Sequence, residues 1–227
     1  MARKKPPPRD PQLELAGALC VAFVNTGGAR DTNRQQGVKS YAELVTWGQQ
    51  AGVLSANEAE RLRRVASERP EDAEAVYAQA AKLRYALARI FIARFMDRSP
   101  DDADLGTVNA AVAEATRVLR LVPQDSGVAV GWSGDDDALD RMLWPVAFSA
   151  LETLVAITGH PHVRQCAAKG CYLYFLVRSG SRKRIFCSTV CGNRARSLDY
   201  YFRKGRAVRE HEIREAGGKK RRPKNSS

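Results

Sequence analysis

Apolar positions recur through the first two-thirds of the chain at helical rather than alternating spacing. The run LELAGALCVAFV over 13–24 is apolar on several faces and stops at Asn25-Thr26-Gly27-Gly28, which predicts a central buried helix with Cys20 as a small core side chain. Ser40-Tyr41-Ala42-Glu43 and Ser55-Ala56-Asn57-Glu58 both have the S-x-x-E form, in which hydroxyl and carboxylate satisfy opposite orphan amides, so a helix should start at each. The second should fade before Pro70. Glu71-Asp72 then opens a long amphipathic run to about Phe95, with Val76, Leu83, Leu87, Ile90 and Phe91 near helical spacing, and another helix is expected over 102–118.

The period then changes. Residues 119–122 and 128–132 read as two short strands about a turn at 123–127, the one hairpin expected in this region. Asp135-Asp136-Asp137 should cap a helix over 138–158, where carboxylates gain from the dipole and the free amides, so a metal or acid-base reading of the triplet is not needed. Pro145 interrupts that helix and is expected to kink it, and Gly159-His160-Pro161 ends it.

Charge divides the 227 residues unevenly. Residues 12–163 hold 15 Lys and Arg against 20 Asp and Glu, whereas 164–227 hold 18 against 4, so most of the net +12 lies at the C-terminal end. Such asymmetry implies a polyanionic partner for one end and leaves the acidic part free for an input or dimerisation role. Residues 1–11, basic with three consecutive prolines, and the basic stretch 205–227 are expected to be disordered tails. No run reaches the roughly 18 apolar residues of a membrane span, and no apolar segment follows the basic N-terminus, so a cytoplasmic protein without membrane contact is expected. The chain shows no GxGxxG after a strand, no Walker A sequence, no HExxH and no GxSxG, so no enzyme is expected.

Four of the five cysteines, Cys166, Cys171, Cys187 and Cys191, form the pattern C-x4-C-x15-C-x3-C. Two close pairs suit a tetrahedral thiolate site for one structural zinc ion, with no coordination position left for water. Disulfides are the competing reading, but thiols stay reduced in a chain without an export signal. His160 and His162 lie just upstream and could each replace a thiolate, although four cysteines already complete the shell. Between the pairs, 172–177 and 184–186 should form a hairpin about a basic Gly/Ser turn, and 187–191 should enter a helix with Cys187 near its cap.

That segment, closing on Cys191-Gly192-Asn193-Arg194, resembles the CGNR zinc finger family, and the combination of hairpin, helix and one ion resembles a treble-clef fold. Ala22-Phe23-Val24-Asn25-Thr26 and Leu143-Trp144-Pro145-Val146-Ala147 are similar to the two ends of the helical ABATE domain that usually precedes that finger. The sequence departs from the family's commoner pattern in the three residues of CSTVC, where four are usual, and in Phe186, where tryptophan is frequent. The resemblance implies a mainly α protein with small β-hairpins (α+β), a helical domain over 12–160, a zinc finger over 164–204, and a bacterial transcriptional regulator or nucleic-acid-binding protein.

Projected as a helix, 190–204 has two faces. Val190, Arg194, Leu198 and Tyr201 share one, expected to pack on the hairpin, while Asn193, Arg196, Tyr200, Arg203 and Lys204 share the other. With Arg182, Lys183 and Arg184 in the turn, this second face offers cations and an amide to phosphates and base edges, and Arg194 is either a further contact or a brace beside the zinc. DNA is the expected partner. RNA is the rival, with Tyr172, Tyr174 and Phe175 stacking on unpaired bases, and a zinc-stabilised protein-interaction or ligand-sensing module is the other. A homodimer through the helical domain is compatible with the acidic charge of that part.

Overall fold

The computed structural model describes residues 16–27, 37–125, 127–156, 163–177 and 184–218, without the side chains of 205–208 and 210–218. It divides into two compact units with the boundary between Cys187 and Ser188. Among the described residues the first holds helices α1 (Leu19–Asn25), α2 (Tyr41–Gln50), α3 (Ala56–Glu68), α4 (Pro70–Phe95) and α5 (Asp102–Val118), the hairpin β1 (Leu119–Gln124) and β2 (Gly127–Trp132), helix α6 (Leu143–Ala156), and strands β3 (Val163–Gln165) and β4 (Tyr174–Leu176). The second is the helix α7 (Thr189–Gly218). The architecture is mainly α with two small antiparallel hairpins, and no helix among the described residues is long and apolar enough to cross a membrane.

The local signals explain the helix starts. Ser55 Oγ accepts from Glu58 N while the Glu58 carboxylate accepts from Ser55 N, a complete capping box. At α2, Ser40 Oγ accepts from Glu43 N, but the Glu43 carboxylate reaches past it to Lys39 N at 2.6 Å. Asp101 caps α5 through Ala103 N, and Pro70 opens α4 at a position where its missing N–H costs nothing.

The expected helix over 13–24 is interrupted in the structure, where Ala16 is helical and a bend follows at Gly17-Ala18. Gly17 has φ +81°, and a β-carbon there would lie 3.1 Å from Leu176 Cβ, so the chain turns left-handed against β4 before α1 starts at Leu19. The residues before 16 lie outside the described residues.

The acidic triplet also behaves differently from expectation. Asp135 Oδ1 accepts from Asp137 N in a local turn, and helix α6 starts at Leu143 rather than 138. Asp136 instead pairs with Arg61 at 2.7 Å and Arg141 at 3.1 Å, and Arg141 also reaches Glu58 at 3.0 Å, which ties this turn to α3. Because the helix begins late, Pro145 occupies its first turn, where the amides are orphans in any case, and the expected kink has no cause.

The core of the first unit gathers Phe23 from α1, Leu44 from α2, Leu62 from α3, Leu87 and Phe91 from α4, and Val146 from α6, all with no exposed surface. Val163 belongs to the same core, and Tyr174 and Leu176 pack against it. The cysteine-bearing hairpin is therefore built onto the helical body, within the compact unit that extends to Cys187. Asn25, the last residue of α1, fastens it: Asn25 Oδ1 accepts from Tyr174 N at 2.8 Å and Asn25 Nδ2 donates to Tyr174 O at 3.0 Å. One side chain thus presents the donor and acceptor that a neighbouring strand would present.

Candidate metal centre and basic helix

β3 and β4 pair antiparallel, Val163 with Leu176 and Gln165 with Tyr174, so the loop between them carries both cysteines of the first pair. The expected hairpin of 172–177 with 184–186 is not formed. The Tyr174 strand pairs upstream instead, because the segment before Cys166 offers three residues in register while 184–186 adds one backbone bond, Ala167 N to Ile185 O at 2.9 Å. Within the loop Cys166 N donates to Leu173 O and Cys171 N to Ala168 O, and Gly170 supplies the left-handed turn at φ +73°.

The Sγ atoms of Cys166, Cys171, Cys187 and Cys191 all lie within 4.8 Å of one another, and none of the five cysteines is in a disulfide. Cys166 and Cys187 are buried, Cys171 and Cys191 half-buried. The Cys171 and Cys187 sulfurs are 3.8 Å apart. Four sulfurs each about 2.3 Å from one ion at tetrahedral angles sit about 3.75 Å from each other, so the spacing suits zinc and is far too long for a disulfide. Cys187 N donates to Cys166 Sγ at 3.3 Å, an amide aimed at a ligand sulfur. Burial pushes the Cys171 thiol up to about 11, with the Cys166 sulfur adding to the rise. The donor set and its geometry fit one structural zinc ion. His160 and His162, the alternative ligands, lie outside the described residues.

Helix α7 begins two residues after Cys187. Ser188 is its cap, with Cys191 N donating to Ser188 Oγ at 3.2 Å and Gly192 N to Ser188 O at 3.1 Å, so Cys191 lies in the first turn. The helix runs to Gly218, and the expected disordered stretch from 205 is helical as far as 218.

The expected cations separate into two groups. Arg184 is turned into the metal-bearing loop: its guanidinium donates to Phe186 O at 3.1 Å and to Cys187 O, and its Cζ lies 4.6 Å from the centroid of the buried Phe175 ring. It braces the segment that carries Cys187. Arg194 Nη2 lies 4.0 Å from Cys191 Sγ, the placement of a brace beside the ligand. Arg196 donates to Asn193 Oδ1 at 2.6 Å, and Arg203 pairs with Asp199 one turn back. Tyr200 is 59% exposed and Lys204 is also exposed, so Asn193, Arg196, Tyr200, Arg203 and Lys204 form one accessible polar stripe. Arg182 and Lys183 lie outside the described residues.

The other helix face was expected to be covered, yet Val190 is 73% and Tyr201 72% exposed. The proposed base-stacking rings are mostly committed elsewhere: Phe175 is fully buried, Tyr174 packs 6.1 Å from Phe91, and only Tyr172 is exposed. Asn25 is the positioning residue that pattern reading missed. In the sequence it stands in a helix stop and in the Ala22-to-Thr26 stretch that carries the family resemblance, and neither reveals its distant partner.

The model of the ABATE family, described as "Putative stress-induced transcription regulator", matches residues 17–157, and that of the CGNR zinc finger matches 162–204. No curated protein matches the chain.

Proposed function

This chain belongs to the ABATE family and carries a CGNR zinc finger, and we propose that it is a DNA-binding transcriptional regulator rather than an enzyme. The observation that carries this reading is the exposed stripe Asn193, Arg196, Tyr200, Arg203 and Lys204 on a helix whose first turn holds a metal ligand. When bound, zinc supplies a fixed positive centre that holds four thiolates together and so fixes the start of α7. The residues of the chain do the rest. Ser188 caps the helix, Arg184 holds the carbonyls of Phe186 and Cys187, and the stripe presents guanidinium and amide groups to phosphate oxygens and base edges. A closed four-thiolate shell leaves no position for a reacting water, which supports a structural role for the metal.

Duplex DNA is favoured over RNA because Phe175 is buried and Tyr174 is packed in the body, which removes two of the three rings that would stack on unpaired bases. Dimerisation through the helical body is supported by the outward apolar face of β1–β2, where Leu121 and Val128 are each 70% exposed. Fluorescence anisotropy with duplex DNA, structured RNA and single strands at matched salt tests the reading. The proposal expects duplex to bind tightest, and equal weak binding of all three would instead indicate a protein-interaction module.

A further inference from the structure

Helix α4 carries two apolar seams. One, through Ala80, Leu83, Leu87 and Ile90, is buried in the core. The other follows Ala78, Ala81, Tyr85, Ala88, Ile92 and Phe95 in alternate steps of three and four residues, the spacing of the contact positions of a coiled coil. It points away from the core, because the buried Leu83 and Ile90 fall at the heptad position opposite to it. Solvent reaches it: Tyr85 is 56%, Ile92 38% and Phe95 53% exposed, Ala78 is exposed, and Ala81 and Ala88 are half-buried. A surface helix ordinarily sets polar residues on that face. Residues 28–36 lie outside the described residues, and Ala29 is the one apolar side chain among them, so their sequence does not match the seam.

The order of sizes along the seam says what fits it. Against a second α4 running antiparallel about a two-fold axis between Tyr85 and Ala88, each alanine meets a large side chain: Ala88 meets Tyr85, Ala81 meets Ile92, and Ala78 meets Phe95 of the second copy. The small residues let the helices approach and the large ones fill the space, as close packing requires. A parallel pair would set Ala78 on Ala78 and Phe95 on Phe95, with a gap at one end and crowding at the other. The charges agree with the antiparallel pair. Lys82 comes beside Arg89 of the second copy, whose guanidinium is already taken by the Asp104 carboxylate at 2.9 Å with Asp101 adding a further negative charge, so the flanks do not repel.

We propose that two copies of the chain associate through antiparallel α4 helices, with Ala78, Ala81, Tyr85, Ala88, Ile92 and Phe95 as the contact. The inference rests on the dimer reading above and deepens it, moving the contact from the exposed β1–β2 face to a surface that is its own complement. It does not depend on nucleic-acid binding. The seam runs about 26 Å and is one helix wide, less than the roughly 800 Å² per partner of a standard interface, so a dimer of micromolar rather than nanomolar affinity is expected.

Sedimentation velocity of the full, zinc-loaded chain from about 1 to 200 µM tests this, and a monomer–dimer equilibrium is expected. Ile92→Glu and Ala81→Lys each put a charge into the seam, and each should weaken association by roughly tenfold or more with an unchanged far-UV spectrum. Leu121→Asp, on the hairpin, should leave association as it is. Mixed together, the Ile92→Glu and Ala81→Lys chains should associate again, because the antiparallel register sets the introduced carboxylate against the introduced ammonium in one layer and leaves Ala81 against Ile92 in the other. A parallel pair offers no such match, so failure to recover on mixing overturns the register. Should one of the two seam variants not fold, the other decides by its own loss of association. Undiminished association in the seam variants overturns the proposal, and its loss in Leu121→Asp alone would return the dimer to the hairpin. A chain that stays monomeric at every concentration overturns both the proposal and the dimer reading.

Discussion

Replacing Asn25 by alanine tests whether the metal-bearing hairpin is part of the helical body. The side chain makes two bonds to Tyr174, 2.8 Å to its N–H and 3.0 Å to its carbonyl, both partly buried. At a net ~0.5–1.5 kcal/mol each, their loss should cost about 2 kcal/mol, close to 30-fold in the folding equilibrium. Tyr174 keeps its ring contact with Phe91, so the hairpin should loosen rather than detach. Urea unfolding followed by tryptophan fluorescence reads the first effect, because Trp47 and Trp144 are buried in the body. Transfer of zinc to a coloured chelator reads the second, with faster release expected from the variant because Cys166 and Cys171 flank the strands that Asn25 holds. Asn25→Asp, which keeps an acceptor but sets a carboxylate against the Tyr174 carbonyl, should be at least as damaging. Stability within about 0.5 kcal/mol of the unaltered chain, together with unchanged zinc release, would refute the argument that the clamp matters.

Three further outcomes are expected. Gly17→Ala should destabilise the body by about 1–2 kcal/mol in the same unfolding assay, since φ is +81° and Leu176 Cβ would stand 3.1 Å away. Arg184→Ala should release zinc faster, and Arg184→Lys should not restore retention because a lysine cannot reach two carbonyls while covering the Phe175 ring, which the chelator assay checks. Burial raises the Glu58 carboxyl, but its bonds to Ser55 and the Arg141 cation outweigh that and hold it below the usual carboxylate range. Its contribution is present above the ordinary carboxylate pKa and lost as pH falls through the lowered one, so Glu58→Gln should narrow the stability difference between neutral and acidic buffer.

The residues that could be read from sequence are those whose structural cause is local. Ser55 with Glu58 and the four cysteines each act within a few positions of their partners or through a spacing rule, and the structure places them accordingly. Nonlocal choices were less legible. A three-residue strand such as Tyr174–Leu176 can pair with either neighbour, and only the core contacts of Val163 and Leu176 select the upstream one. Gly17 looks like any helix-interior glycine until β4 is in place against it. Arg184 carries the same charge as its neighbours in sequence, yet the Phe175 ring and two carbonyls take it inward, whereas Arg196 stays on the accessible stripe. Charge counting cannot separate them, because the distinction depends on the backbone beside each residue.

The most direct test of the central claim is the salt dependence of duplex affinity for the zinc-loaded chain and its Arg196→Ala variant. Each phosphate contact contributes about 0.9 to the slope of log affinity against log salt. The account predicts a steep slope for the unaltered chain and weaker binding for Arg196→Ala, by ~1–3 kcal/mol and unequally between sequences if the guanidinium reaches a base, or by a uniform loss with a slope smaller by about one if it reaches only phosphate. A slope near zero, or an Arg196→Ala variant that matches the unaltered chain on every duplex and at every salt concentration, would contradict it.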